Sequence, residues 1–176
     1  MLDFDSSTFP VYGNKEGADR GRSFRYKDAP GFQPKFAFIG GLGALVHQEL
    51  SPESYNPSKD FDAFGAAARA KLPKHVRVWA VRGDCALYSE TRIARYERDH
   101  LVYAIGAPLH APLHAAIAQI PAEAWVEDVD ADGHCCSLAR LHYRPPTWKR
   151  ARTFIISRRV KNLHGQQVFF AELRYE

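Results

Sequence analysis

Residues His75–Glu90 read HVRVWAVRGDCALYSE, a β-branched and aromatic run (Val76, Val78, Trp79, Ala80, Val81) that delivers an aspartate, Asp84, directly after a glycine. The run predicts a buried strand. A carboxylate at the rim of an interior strand is costly to desolvate unless it faces a cleft, a cation or a good donor. Asp84 therefore either caps a turn or does chemistry, and Gly83 is expected to open the sharp turn that carries it.

Upstream, LDFDS (Leu2–Ser6) alternates apolar and acidic residues, which is strand periodicity with Leu2 and Phe4 on one face, Asp3 and Asp5 on the other. Gly13–Pro34 is rich in Gly, Lys and Arg and predicts a long basic loop of the kind that tends to be functional. KFAFIGG (Lys35–Gly41) and GALVHQEL (Gly43–Leu50) predict a hairpin. Ser58 is the expected cap of a helix in which Phe61, Phe64, Ala68 and Leu72 recur at helical spacing until Pro73.

Downstream, Ser89 opens a second helix with Ile93 and Tyr96 inward and Arg92, Arg95, Glu97 and Arg98 expected at the surface. LVYAIG (Leu101–Gly106) reads as a short strand, and a third helix is expected from about Pro112 to Ile120. The remainder (WVEDV, CSLARLHYR, RTFIISRRV, QVFFAELRY) reads as strands joined by turn signals. This order predicts an α/β domain: a ribonuclease-H-like mixed sheet flanked by helices over residues 1–120, then a β-strand insertion over 121–176. In that topology the first and fourth strands lie parallel and adjacent at the centre of the sheet, which would make Asp5 and Asp84 neighbours.

The chain has 176 residues, 45% hydrophobic and 25% charged, enough for a sizeable core. A net charge of +4 and a pI near 9.0 suit a nucleic-acid partner without requiring one. No apolar run approaches the ~20 residues that span a bilayer, and the first residues lack the pattern of a signal peptide. Cys85, Cys135 and Cys136 show no C-x-x-C spacing, so a reducing cytoplasm is the expected location.

Two neighbouring carboxylates in a partly dry site repel, so one takes up a proton or a cation sits between them. Hard divalent ions such as Mg²⁺ favour such oxygen ligands, often with phosphate oxygens completing the shell. Taken alone, Asp84 is as readily a turn residue, and Asp3 and Asp5 a solvated strand face. Two basic clusters could neutralise phosphates: Arg20, Arg22, Arg25 and Lys27 in the early loop, and Lys149, Arg150 and Arg152 beside Trp148. Trp148 is a candidate for stacking on an unpaired base or for the core of the insertion itself.

Several blocks occur together in one order: LDFDSSTFPVYGNKEGADRG, GFQPKFAFIGGLGALVHQEL, VRVWAVRGDCALYSE with LVYAIGA, and YRPPTWKRARTFIISRRV. In this combination the chain resembles the Asp-Asp-Glu (DDE) transposases of bacterial insertion sequences, in the branch whose ribonuclease-H-like core carries a β-strand insertion. The likeness runs from about Leu2 to Tyr175. It implies Mg²⁺- or Mn²⁺-dependent DNA phosphodiester cleavage and strand transfer, with Asp5 and Asp84 as the first two catalytic, metal-holding acids. Asp5 is preferred to Asp3 because Ser6 follows it, where the family has a small or hydroxyl residue. Cys85 stands where serine is usual. The resemblance also implies transposon-end and target DNA as partners, a bacterial cytoplasmic, nucleoid-associated location, and room for a homodimer in a transposition complex.

The family's third acid is a glutamate on a helix beyond the insertion. Here Glu172 and Glu176 fall in a strand-like context, FFAELRYE, so a chain shortened at both ends and impaired in cleavage is the expectation. A catalytically inactive remnant that binds DNA and a stand-alone nuclease are the rival readings. DVDADG (Asp128–Gly133) resembles half of a calcium loop but is better read as a hairpin turn, since Ala139 occupies the place of the bidentate glutamate. Cys135, Cys136 and His142 do not match zinc spacing, and alternation would point the two cysteines to opposite faces.

Overall fold

A computed structural model describes residues 1–21, 29–54, 56, 58–129, 133–163 and 166–175, with side chains described up to residue 158. In chain order the strands are β1 (Leu2–Ser6), β2 (Phe9–Pro10), β3 (Asp19–Arg20), β4 (Pro30–Phe32), β5 (Lys35–Ile39) and β6 (Ala44–Glu49). After helix α1 (Phe61–Ala70) come β7 (Ala80–Gly83), α2 (Glu90–Arg98), β8 (Val102–Ile105) and α3 (Ala111–Ile117). The chain continues with β9 (Val126–Val129), β10 (Cys135–Tyr143), β11 (Arg152–Leu163) and β12 (Gln166–Tyr175).

Five strands form the main sheet in the order β6-β5-β1-β7-β8. β1 pairs antiparallel with β5 and parallel with β7, and β7 pairs parallel with β8. This is the mixed, ribonuclease-H-like arrangement expected from the element order, with β1 and β7 side by side at the centre. Contacts divide the chain into two units, Met1–Gly106 and Ala107–Glu176. The first holds the mixed sheet with α1 and α2. The second holds α3 and the antiparallel sheet β12-β11-β10-β9, so the third helix groups with the β-rich segment.

Alternation along β1 sorts its side chains. Leu2 and Phe4 enter the core with Ala37, Val81, Phe61, Phe64, Ala68, Leu87 and Tyr96. Three rings close on one another there: Phe4–Phe61 at 5.0 Å, Phe4–Phe64 at 6.0 Å and Phe61–Phe64 at 5.5 Å between centroids, all edge-on. Such pairing adds to the burial of apolar area that holds α1 on the sheet. Asp3 and Asp5 pair with Phe38 and Phe36 and point to the other face.

Three expectations are corrected. The strand anticipated from Val76 begins at Ala80, because pairing with β1 starts at Leu2↔Val81; Val76 and Trp79 precede it and are exposed. Helix α1 is preceded by Asp60 rather than capped by Ser58. Arg92 is buried, not at the surface: Nε donates to Asp62 Oδ1 (3.3 Å), Nη1 to the Ala86 carbonyl (3.3 Å) and Nη2 to the Ser58 carbonyl (3.1 Å). Its guanidinium also lies over the Phe61 ring, so these acceptors and the ring repay its desolvation.

Lys35 is likewise interior, its side chain 2% exposed, with Nζ 2.8 Å from Glu49 Oε2 and above the Phe64 ring. Burial raises the Glu49 carboxyl, but Lys35 and His47 outweigh it and hold the group below the ordinary carboxylate range. Glu49→Gln is expected to destabilise the chain by about 1 kcal/mol at pH 7, the low end because Glu49 faces solvent on one side. A group depressed in the folded state contributes above its unfolded pKa and loses that contribution as pH falls through the folded one. The difference between the two proteins in urea melts should therefore close as pH drops below that range.

Candidate functional site

The parallel register runs Leu2↔Val81, Asp3↔Arg82, Phe4↔Gly83. The next step brings Asp5 beside Asp84, where β7 ends and a single 3₁₀ turn, Cys85–Leu87, begins. Gly83 is needed here for space: a Cβ would sit 3.0 Å from Leu87 Cδ2 and 3.2 Å from the Phe4 carbonyl oxygen. The turn it permits is held from outside the strand, since Arg92 Nη1 donates to the carbonyl of Ala86, two residues after Asp84. Arg92 is the positioning residue that sequence reasoning missed. Its helical place among charged neighbours gave no sign of burial.

Each carboxylate is steadied by one local donor. Asp5 Oδ1 accepts from the Ser6 N–H (2.8 Å) and Asp84 Oδ1 from the Ala86 N–H (3.0 Å). The second oxygen of each has no hydrogen-bond donor among the described residues. Burial pushes the Asp84 carboxyl above its ordinary value, the Ala86 N–H pulls it back, and the charge of Asp5 raises it further. The two acids line an open cleft of about 570 Å³ together with Asp3, Phe4, Phe38, Arg82, Gly83 and two glycines of the β5–β6 turn. Asp3 lines the same cleft but is bound to Arg82 (Oδ2–Nη2 2.7 Å).

The structure thus brings Asp5 and Asp84 together at adjacent strand ends. A hard cation suits this donor set: two acceptor-only carboxylates, mutually repelling, each with an uncommitted oxygen. No group of three or more His, Cys, Asp or Glu side chains that could hold a metal forms among the described residues.

The other candidates are scattered. Arg20 is exposed on β3, whereas Arg22, Arg25 and Lys27 lie outside the described residues. Lys149 and Arg150 are exposed in the second unit. Trp148 is 9% exposed and Arg152 buried, with the guanidinium over the indole at 5.2 Å. The ring is packed within its own unit, the alternative to base stacking. Glu172 lies on β12, its backbone paired with Arg159, and Glu176 is outside the described residues. Of the calcium-like DVDADG, Asp130–Asp132 are outside them too. Cys135 is exposed and Cys136 buried, as strand alternation requires.

No helix among the described residues is long and apolar enough to cross a membrane. No curated protein matches the chain. The profile of the family described as "Transposase DDE domain group 1" matches residues 1–171, nearly the whole length. With its mixed sheet and its two acids at the ends of β1 and β7, the chain belongs to this transposase DDE domain family.

Proposed function

We propose that Asp5 and Asp84 hold Mg²⁺ or Mn²⁺ and that their cleft is where this chain acts on DNA phosphodiesters, cleaving at transposon ends and transferring strands. The observation that carries this reading is the parallel β1–β7 register, which sets the two carboxylates side by side at the mouth of the cleft. A cation so held polarises phosphoryl oxygens and activates water. The chain's own part is positional. The two strands fix where the carboxylates sit, and the Ser6 and Ala86 N–H groups fix which oxygen of each is left for a ligand. Gly83 and Arg92 hold the turn beneath Asp84.

Turnover is impaired in this reading, because no third carboxylate joins the pair among the described residues. Phosphates are met by basic residues outside the cleft, Arg20, Lys149 and Arg150 among the described ones.

A nicking assay on supercoiled plasmid tests it. The expected result is salt-sensitive DNA binding that strengthens with Mg²⁺ or Mn²⁺. At most a trace of metal-dependent nicking should accompany it, and Asp5→Asn should remove that trace. Rapid nicking by the wild-type chain would refute impairment and favour a nuclease with a third ligand of its own. DNA binding indifferent to divalent ions would refute the metal site.

A further inference from the structure

We infer that Arg82 is the phosphate-contacting cation of the cleft and that Asp3, one strand away, is its positioning residue rather than a further metal ligand. The inference rests on the DNA-cleaving reading of the same cleft and adds the group that meets the substrate's charge there.

Four observations converge. Arg82 lies opposite Asp3 in the β1–β7 register and two residues before Asp84, so alternation sets its side chain on the face that carries Asp5. Among the described residues that line the cleft it is the one cation, against three carboxylates. Among these residues, a phosphodiester approaching the acids meets favourable charge at this guanidinium.

The ion pair is also one-sided. Nη2 is bound to Asp3 Oδ2 at 2.7 Å, yet the Arg82 side chain remains 59% exposed while that of Asp3 is 18% exposed. No other described residue hydrogen-bonds the guanidinium, so most of its five N–H donors are left for water or a ligand. A planar fork gripped at one edge is set to offer the other to two phosphate oxygens.

Finally, the carboxylate of Asp3 occupies a built seat. A Cβ on Gly40 would stand 2.9 Å from Asp3 Oδ2 and 2.7 Å from Met1 Cε, so a side chain there would have to push the Met1 tip or the Asp3 carboxylate aside. Asp3 Oδ1 is buried and has no hydrogen-bond partner among the described residues. A carboxylate left half unsatisfied costs stability. Its evident return is to fix a long, otherwise mobile arginine over the cleft.

The experiment measures binding of a short DNA duplex to the full chain by fluorescence anisotropy, across a salt series, with Ca²⁺ present as an oxygen-seeking cation. Arg82→Ala should weaken binding about tenfold at low salt and lower the slope of log K against log salt by about one. Arg82→Lys should restore the slope but not the full affinity, because a point charge replaces the fork. Arg98→Ala removes a 74%-exposed arginine from α2, which packs on the opposite face of the sheet, and should leave the slope unchanged. If Arg82→Ala matches wild type, or if Arg98→Ala produces the same loss, the inference is overturned and the Arg82–Asp3 pair is a structural bridge. If Arg82→Ala melts below the assay temperature, Arg82→Gln and Arg82→Lys decide by the same slopes. A wild-type chain that binds no DNA would instead sink the functional reading itself, an outcome separate from a lost slope change.

Discussion

With Mn²⁺ at about a hundred times its dissociation constant, the wild-type chain is expected to melt about 5–10 °C higher than without it, and Asp84→Asn to show no such rise. A ligand at that excess contributes about 2.7 kcal/mol to the folded state, provided the unfolded chain does not bind it. The asparagine keeps a carbonyl oxygen for the Ala86 N–H, so the turn after β7 should survive. What it loses is the charge.

The sign of the metal-free comparison sharpens the test. Burial raises the Asp84 carboxyl, the Ala86 N–H lowers it, and Asp5 raises it again, leaving it above its ordinary value. A carboxyl raised by folding binds more protons in the folded than in the unfolded state between the two pKa values. Stability therefore falls as pH climbs through that window. Below the window there is no cost, and above it the cost is complete. Asp84→Asn should lack this decline and, without metal at neutral pH, should be at least as stable as wild type. A variant that still gained several degrees with Mn²⁺ would show that the ion binds elsewhere.

The fold was legible where the pattern is local. Alternation in LDFDS, the spacing Phe61, Phe64, Ala68 and the cap at Ser89 each state a preference that the tertiary structure keeps. It was illegible where partners decide. Val76 to Trp79 read as strand by composition, yet a strand also needs a neighbour to pair with, and the β1 ladder begins at Val81. Lys35 and Arg92 read as surface residues because charge belongs in water. Their burial depends on Glu49, Phe64, Phe61 and two backbone carbonyls supplied from distant parts of the chain.

The candidate site has the same character. Asp5 and Asp84 are separated by nearly eighty residues, and nothing in either segment states that they meet. Their meeting became an expectation only through the strand order, because a parallel central pair carries both chain directions to one edge of the sheet. The pairing of Asp3 with Arg82 had no such signal. Two residues of register separate it from the acid pair, and only the folded structure distinguishes the carboxylate bound by arginine from the two that are not.

The second large effect is expected at Phe64, and it separates fold from site. Phe64→Ala should cost about 3–5 kcal/mol, read from the midpoint of a urea melt with little change in slope. The ring is fully buried and meets Phe4 and Phe61 edge-on, so truncation opens a cavity between α1 and β1. It also removes the stacked partner of His47, 5.0 Å away, and the surface beneath Lys35 Nζ. Against a typical total of about 5–15 kcal/mol this is a large share, though the folded state should remain the majority species in dilute buffer at low temperature. Apparent ligand affinity falls only by the fraction of competent molecules, so while folding holds, that correction is small. Phe64→Ala should therefore melt far below wild type and still rise by nearly the full increment when Mn²⁺ is added. Asp84→Asn should do the reverse, keeping its melting point and losing the increment. If Phe64→Ala abolished the increment while circular dichroism showed a folded chain, the acids would depend on core packing beyond the strand register. The independence of site and core argued from the two faces of β1 would then fail.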